Sequence, residues 1–380
     1  MKKFSLFLIS LCIMCGADAA SPSLKSLVRK SDPVFLATSE ASRIGDQILA
    51  YQRVTGGWPK NIDMVRPHTE AELDSVRAQH NRTDDSTTDN TATNTQMRYL
   101  AALYQATGEP RFRDGFLAGL EYLFSGQYPE GGWPQFWPNP RGYQVHITYN
   151  DNAMVNTMTL LEDIFRQKVP FDGDIVDDAV RERARKAFDK GIECILATQI
   201  VVDGKPTVWC QQHDHVTYAP AKARAYELPS YCSLESAGLV RLLMTVPSPD
   251  SRIKAAVHGA MKWFDDNKVL GYRYEHVGTP KTPTSDSHLV PDSAAGPVWG
   301  RYYDLSDCRI YVCDRDGVPR RTLPEIGQER RGGYGWYNSE PAELYRKYEK
   351  WAKKYDPEGK VAIDITAPGS RQSYYDSIYK

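Results

Sequence analysis

Asp89-Asn90-Thr91-Ala92-Thr93-Asn94-Thr95 and Asp151-Asn152-Ala153-Met154-Val155-Asn156-Thr157 spell one pattern twice, Asp-Asn-x-x-x-Asn-Thr. A Gly-Gly-Trp-Pro stands upstream of each, at 56–59 and 131–134. Each Asp precedes an apolar run of helical spacing. One reading is therefore a plain N-cap, in which the carboxylate accepts backbone N–H groups and complements the helix dipole. A cap needs only the Asp, yet Asn90 and Asn152 follow at once, and Asn94 and Asn156 come one helical turn on. Carboxylate and amide oxygens are hard donors, suited to Ca²⁺ rather than Zn²⁺. Paired carboxylates also suit acid–base chemistry on a sugar. The chain has no Asp-x-Asp-x-Asp-Gly loop, so a calcium site must be assembled from separate segments.

Other chemistry-bearing residues cluster in the connections. Trp58 and Trp133 either plug the core or stack on a sugar ring face. Lys60 follows the first Trp loop, and Gln135, Phe136 and Trp137 follow the second. The segment 222–229 sets Lys222 and Arg224 beside Glu227 just ahead of a helix, as a solvated loop or as a carboxylate clamp. Arg301, and Arg315 in the turn 314–317, offer further guanidinium groups. His146 alternates like a strand residue leading into Asp151, and is equally a ligand contact or a structurally satisfied histidine.

The elements that must position these residues are mainly helical. Apolar stripes of period 3.6 predict helices over 39–54, 89–107, 111–124, 152–165, 179–198, 233–244, 253–264 and 341–351. Long aromatic, Gly/Pro-rich connections lie between them at 55–63, 128–149, 209–229 and 271–303, and connections of that length usually carry function. Trp209-Cys210-Gln211-Gln212-His213-Asp214, followed by 227–230 and a helix through Glu235, reads as a looser third copy of the repeat. The expected fold is mainly α: an α/α toroid of three helix-hairpin units with long loops and a small β addition of two short strands within 301–312. Beyond Asp356 a polar tail is expected to be poorly ordered or to drape over the surface.

The first residues predict a signal peptide over 1–20: a basic start at Lys2-Lys3, an apolar run over 4–16, and small residues for cleavage after Ala19 or Ala20. Residues 21–380 are then expected to form a single catalytic domain, exported to the periplasm or secreted, off the membrane and monomeric. A formal net charge of −1 argues against a nucleic-acid partner, so an anionic ligand must be met by a local basic cluster. Beyond the signal lie Cys194, Cys210, Cys232, Cys308 and Cys313, an odd set without metal-ligand spacing to His. Buried free thiols are the expected state; a bridge between Cys308 and Cys313 is the alternative.

Six ordered motifs carry a resemblance. Thr55-Gly-Gly-Trp-Pro-Lys-Asn61, Asp89-Asn-x-Ala-Thr93, Gly131-Gly-Trp-Pro-Gln135, His146-Ile-Thr-Tyr-Asn-Asp-Asn-Ala-Met154, Trp209-Cys-Gln-Gln-His-Asp214 and Arg224-Ala-Tyr-Glu-Leu-Pro-Ser230 resemble the pectate lyases of polysaccharide lyase family 10. The likeness runs from about Thr55 to Tyr337. One departure is the segment 230–236, where a small Ser-Gly turn is expected. The resemblance implies an α/α toroid that cleaves polygalacturonate by β-elimination. It implies Ca²⁺ held by Asp89 and Asp151 with Asn90 nearby, and Arg224 as the base that takes the C5 proton. Arg301 and Arg315 would bind galacturonate carboxylates, and Lys60, Trp58, His146, Asn152 and Glu227 would line the cleft. The rival readings are an inverting glycoside hydrolase, using Asp89 or Asp151 with Glu227 as acid and base, and a non-catalytic polysaccharide binder. A neutral-glycan hydrolase has little use for Lys60, Arg224, Arg301 and Arg315 together.

Overall fold

Each of the eight periodic runs forms a helix in the computed structural model, which describes residues 22–280 and 282–379; the expected signal peptide lies outside them. In chain order the helices are α1 (Leu24–Lys30), α2 (Pro33–Leu36), α3 (Ser39–Tyr51), α4 (Glu70–Arg77), α5 (Asn94–Thr107), α6 (Pro110–Gly126), α7 (Ala153–Phe165), α8 (Asp178–Thr198), α9 (Ser233–Leu243), α10 (Ser251–Asn267), α11 (Gln328–Gly333), α12 (Ala342–Tyr355) and α13 (Gln372–Ile378). The additional short ones rely on local devices. In α4, for example, Thr69 and Glu72 cap each other's orphan N–H groups, a Thr-x-x-Glu box. None of the described helices is long and apolar enough to cross a membrane.

Four tryptophans define the repeated unit. The Trp58 indole N–H donates to Ile48 O in α3, Trp133 to Leu123 O in α6, Trp209 to Ile195 O in α8 and Trp299 to Phe264 O in α10, at 2.7–2.9 Å. All four rings are buried. Three of the four loops are also tied forward: Gln52, Gln127 and Gln199 donate to their own loop and to a carbonyl of the next unit, at Gly115, Ala187 and Ala256. A buried indole and amide satisfied in this way fix a loop's height against its helix, since an unmet donor there costs about 1–3 kcal/mol.

The expected toroid of three hairpins with a small β addition is thereby corrected. The unit occurs four times, with helices in a row α3, α6, α8, α10 and a second row α5, α7, α9, α12. The fourth copy lacks Gly-Gly-Trp-Pro and is split by a β-hairpin, which hid it from a search for repeats.

The β content is also larger than two strands. In chain order it comprises β1 (Ile147–Thr148), β2 (Val201–Val202), β3 (Lys205–Pro206), β4 (Gln212–His213), β5 (Ser230–Cys232), β6 (Tyr272–Val277), β7 (Asp286–Pro291), β8 (Trp299–Gly300), β9 (Tyr302–Asp304), β10 (Ile310–Cys313), β11 (Pro319–Arg320) and β12 (Tyr337–Asn338), all antiparallel in five small sheets. The two predicted strands are β9 and β10. The atypical segment 230–236 is explained here: β5 pairs with β9, Tyr231 opposite Tyr303, and runs directly into α9.

All five described cysteines are free, and only Cys308 is partly accessible, so the Cys308–Cys313 bridge is not formed. The tail is not merely draped over the surface. Gln372 exchanges two hydrogen bonds with Leu270, and buried Tyr375 accepts from the Ile310 N–H through its hydroxyl.

Gly131 shows why the Trp loops need glycine. Its φ is +104°, and a Cβ there would meet the Lys190 carbonyl oxygen at 2.0 Å. Gly131→Ala is expected to destabilise the protein by at least about 2 kcal/mol, as strain and a backbone clash combine. Urea unfolding, read as a lower midpoint with unchanged slope, checks it.

Candidate active site

The two Asp-Asn repeats meet, but not as helix caps. Asp89 and Asp151 lie in single 3₁₀ turns, Asp89–Thr91 and Asn150–Asn152, and the two turns pack together. The residues before α5 and α7, Thr93 and Asn152, make no side-chain cap bond. The capping reading of both aspartates is therefore corrected. Left-handed backbone is what turns them aside: φ is +52° at Asn90, +65° at Thr91 and +61° at Thr93, and +52° at Asp151 and +58° at Asn152. For a β-branched threonine this is a real outlier, and each such residue stores of order 1–3 kcal/mol that the surroundings must hold.

The Trp loops hold it. The Trp58 N–H donates to Thr93 Oγ1, which donates on to Thr87 O, while the Thr87 N–H returns to Trp58 O. In the second unit the Thr148 N–H donates to Trp133 O, and the Tyr149 and Asn150 N–H groups both donate to Gln211 O. Buried framework thus aims Asp89 and Asp151 at one space.

That space is a polar cavity of about 200 Å³, bordered by Lys60, Asp89, Asn90, Asp151, Arg224 and Glu227, with Asn61, Gln135, Tyr143, Asn150, Gln212 and Ala223 completing its wall. It adjoins a larger groove of about 370 Å³ through the shared residues Lys60, Asn61 and Asn90. Asp89 is buried and paired: its Oδ2 accepts from Lys60 Nζ and Gln135 Nε2. Asp151 is less satisfied. Its side chain keeps 40% exposure, and its nearest cation, Arg301 Nη2, is 3.7 Å away. Burial pushes its pKa up, against the pull of Arg301 and with the repulsion of Glu235 and Asp89.

Arg224 and Glu227 form a bidentate pair, with Arg224 Nε to Glu227 Oε2 at 2.7 Å, and the Tyr334 hydroxyl donates to the same carboxylate. Burial alone would raise Glu227, but these bonds outweigh it and hold its pKa below the ordinary range. Burial likewise opposes the charge on Arg224, yet Glu227 wins and raises its pKa. The Tyr334 ring lies between two guanidinium groups, 5.5 Å from Arg224 and 4.8 Å from Arg301.

The predicted residues thus divide. Lys60, Asp89, Asn90, Asp151, Arg224 and Glu227 come together. Arg301 stands just behind, buried, donating to Asn150 Oδ1 at 2.9 Å and pairing with buried Glu235. Four others lie elsewhere. Trp58 is fully buried in the core and has no face free for a sugar. Asn152 turns away toward α9, where a Cβ on Gly238 would lie 2.2 Å from its Oδ1. His146 joins Asp214 and His215 instead of the cavity wall. Arg315 is an exposed partner of Glu329. Asn94, one turn on in the first repeat, is buried and donates to Thr157 of the second repeat.

Asn61, Tyr143, Asn150, Gln212 and Tyr334 were missed as site residues. Asn150 and Gln212 adjoin motif residues, a signal that could have found them. Tyr334 reaches the site only through the fold.

Gln135 Oε1 and Gln212 Oε1 are buried on the cavity wall with no hydrogen-bond partner among the described residues. Together with the Asp89 and Asp151 carboxylates, these acceptors give an oxygen-only donor set that fits a hard divalent cation.

Two solved structures share the fold. One is the Family 10 polysaccharide lyase from Cellvibrio cellulosa, with a TM-score of 0.73 and 33% identity over 87% of this chain and 96% of that chain. The other is an Asp-to-Ala mutant of the Family 10 polysaccharide lyase from the same organism in complex with trigalacturonic acid, with a TM-score of 0.72 and 33% identity over 87% and 98%. The class that fold and site define is a polysaccharide lyase. The family model for pectic acid lyase matches residues 52–345, and the chain belongs to that family as a pectate lyase enzyme. A search of curated proteins returns no match.

Proposed function

We propose that this enzyme cleaves polygalacturonate by Ca²⁺-assisted β-elimination. The observation that carries the reading is the mixed cavity, where Lys60 and Arg224 face a space that Asp89 and Asp151 also enter. Cations alone would bind an anionic sugar. The added acids would hold a divalent cation in the same space. Asp89, Asp151 and Asn90, with Gln135 and Gln212 beside them, are the residues that would hold it. A bound Ca²⁺ supplies Lewis-acid stabilisation of charge developing on the substrate carboxylate.

The chain's own residues then do the rest. Lys60 and Arg301 supply positive field near the uronate carboxylate. Arg224 takes the C5 proton, the C5–H electron pair becomes the C4=C5 double bond, and the C4–O4 bond breaks with its pair on O4, which is then protonated. The product is a 4,5-unsaturated non-reducing end. Oligogalacturonates of pectin are the ligands, the working form is a monomer, and the place of action is outside the cytoplasm. A hydrolase is disfavoured because Glu227 accepts two hydrogen bonds at each oxygen, from Arg224 and Tyr334, which leaves it no proton to give and no free lone pair to activate a water.

Incubation with polygalacturonate is expected to produce the ultraviolet absorbance of the unsaturated end. EDTA should abolish it and added Ca²⁺ restore it. New reducing ends without absorbance would reassign the chain as a hydrolase; bound polymer with neither signal would make it a binder.

A further inference from the structure

Beside the active cavity lies a second cluster. His146 stands one residue before β1, and Asp214 and His215 directly follow β4. The β1–β4 ladder, with Ile147 opposite His213, brings them together. One donor atom from each of the three lies within 4.8 Å of the others, and His146 Nδ1 is 3.7 Å from Asp214 Oδ2. That separation is too long for a hydrogen bond. His146 Nδ1 and His215 Nδ1 are both buried with no hydrogen-bond partner among the described residues. Two unmet imidazole nitrogens beside one carboxylate are unexplained by packing alone, because buried polar atoms are normally satisfied.

We propose that His146, Asp214 and His215 bind one divalent transition metal, Zn²⁺ by donor chemistry. Two imidazoles and one carboxylate suit zinc and not calcium, which takes oxygen donors. Zinc sits about 2.0–2.2 Å from such donors, so a tetrahedral site needs them about 3.3–3.6 Å apart. One edge, at 3.7 Å, lies just outside that spacing, and the others, within 4.8 Å, would need to close by no more than about 1.5 Å on binding. The surroundings already orient the donors. Asp214 Oδ1 is used by the Val216 and Thr217 N–H groups and by Thr217 Oγ1, which leaves Oδ2 for the metal. His215 stacks on Tyr128 at 5.1 Å, and the Tyr128 hydroxyl donates to Val145 O, next to His146. Burial keeps the His146 pKa below its usual value, against the pull of Asp214, and so favours the neutral ligating form.

The ion would clamp two long loops, 128–149 and 209–229, at one end of a ladder whose other end leads to Asn150, Asp151 and Gln212 at the cavity. The site does not depend on the lyase reading, and its test uses binding.

The chelator-stripped full protein, held in excess Ca²⁺ to occupy oxygen-donor sites, is titrated with Zn²⁺ by calorimetry. One equivalent is expected to bind, with a rise in Tm. His146→Gln and His215→Gln, each checked for native circular dichroism, are expected to weaken it at least ~100-fold and to lose the Tm rise. Absence of saturable zinc binding by the unaltered protein, or wild-type affinity in either variant, overturns the proposal. Zinc-edge X-ray absorption of the loaded protein gives an independent reading. Outer-shell scattering from two imidazole rings is expected, and a spectrum with fewer than two imidazoles rejects the site.

Discussion

Replacing Arg224 by Lys lowers kcat on polygalacturonate by about 10³-fold while KM moves by less than about threefold. The split follows from what each side chain can still do. Lysine keeps the positive charge and much of the long-range attraction for a uronate. It cannot reproduce the planar two-point pairing that fixes the guanidinium against Glu227, with Nε to Oε2 at 2.7 Å. Its single ammonium, on a differently shaped stem, is no longer held where the C5 proton must be received. If Arg224 acted only as a carboxylate clamp, KM would rise and kcat would hold. Initial-rate kinetics of the two proteins decide between these outcomes, and retained turnover in Arg224→Lys would remove Arg224 from the base role.

The geometry also dictates the sign of the pH response. A base must be unprotonated to accept a proton, and Glu227 raises the Arg224 pKa despite the opposing effect of burial. Turnover is therefore expected to climb with pH through the alkaline range. Positive charge from Lys60, Arg301 and a divalent cation offsets part of that pairing and makes the neutral form accessible. A flat profile from neutral to alkaline pH would contradict this role.

How much of this was legible depended on the range over which each signal acts. Helical period is local, so the eight long helices could be read from stripes such as Ile44, Ile48 and Tyr51. The Asp-Asn repeats were visible as words, and Lys60 after one Trp loop and the Arg-x-x-Glu pair lie at the same cavity. The aspartates' conformation was not legible. Left-handed φ at Thr91 and Thr93 runs against the preference of threonine and is held by hydrogen bonds from Trp58 and to Thr87, which no local pattern predicts. The same applies to Trp58: an indole suits a sugar face and a core equally, and only its bond to Ile48 O assigns it. Arg301 was named from the sequence, but Tyr334 joins the site from far along the chain, just ahead of β12, beyond the reach of any motif. The fourth repeat was concealed because β6–β7 interrupts it, although Trp299 makes the same bond as its three counterparts.

Asp151→Asn is expected to weaken the Ca²⁺ requirement's half-saturation by about 10²-fold or more, with activity partly recovered at high Ca²⁺. The two aspartates are unequal in what they have left to give. Asp89 already accepts from Lys60 and Gln135, so a cation there must displace or share existing partners. Asp151 Oδ2 accepts one long bond, from Asn150 Nδ2 at 3.3 Å, and its nearest cation is Arg301, at 3.7 Å, which is committed to Glu235 and Asn150. Its raised pKa, from burial first and then from neighbouring acids, marks an anion short of positive charge. Asparagine is the right replacement because it tolerates the left-handed φ of +52° that alanine would strain. Removing an under-compensated charge relieves repulsion, but the side chain is 40% exposed and solvent screens most of the effect, so the fold should stay close to unchanged in stability. Asp89→Asn differs: it strands Lys60 and is expected to lower the urea midpoint. Activity against Ca²⁺ concentration, measured beside urea unfolding for both variants, checks the pair. An Asp151→Asn protein with the wild-type calcium curve would move the metal site elsewhere.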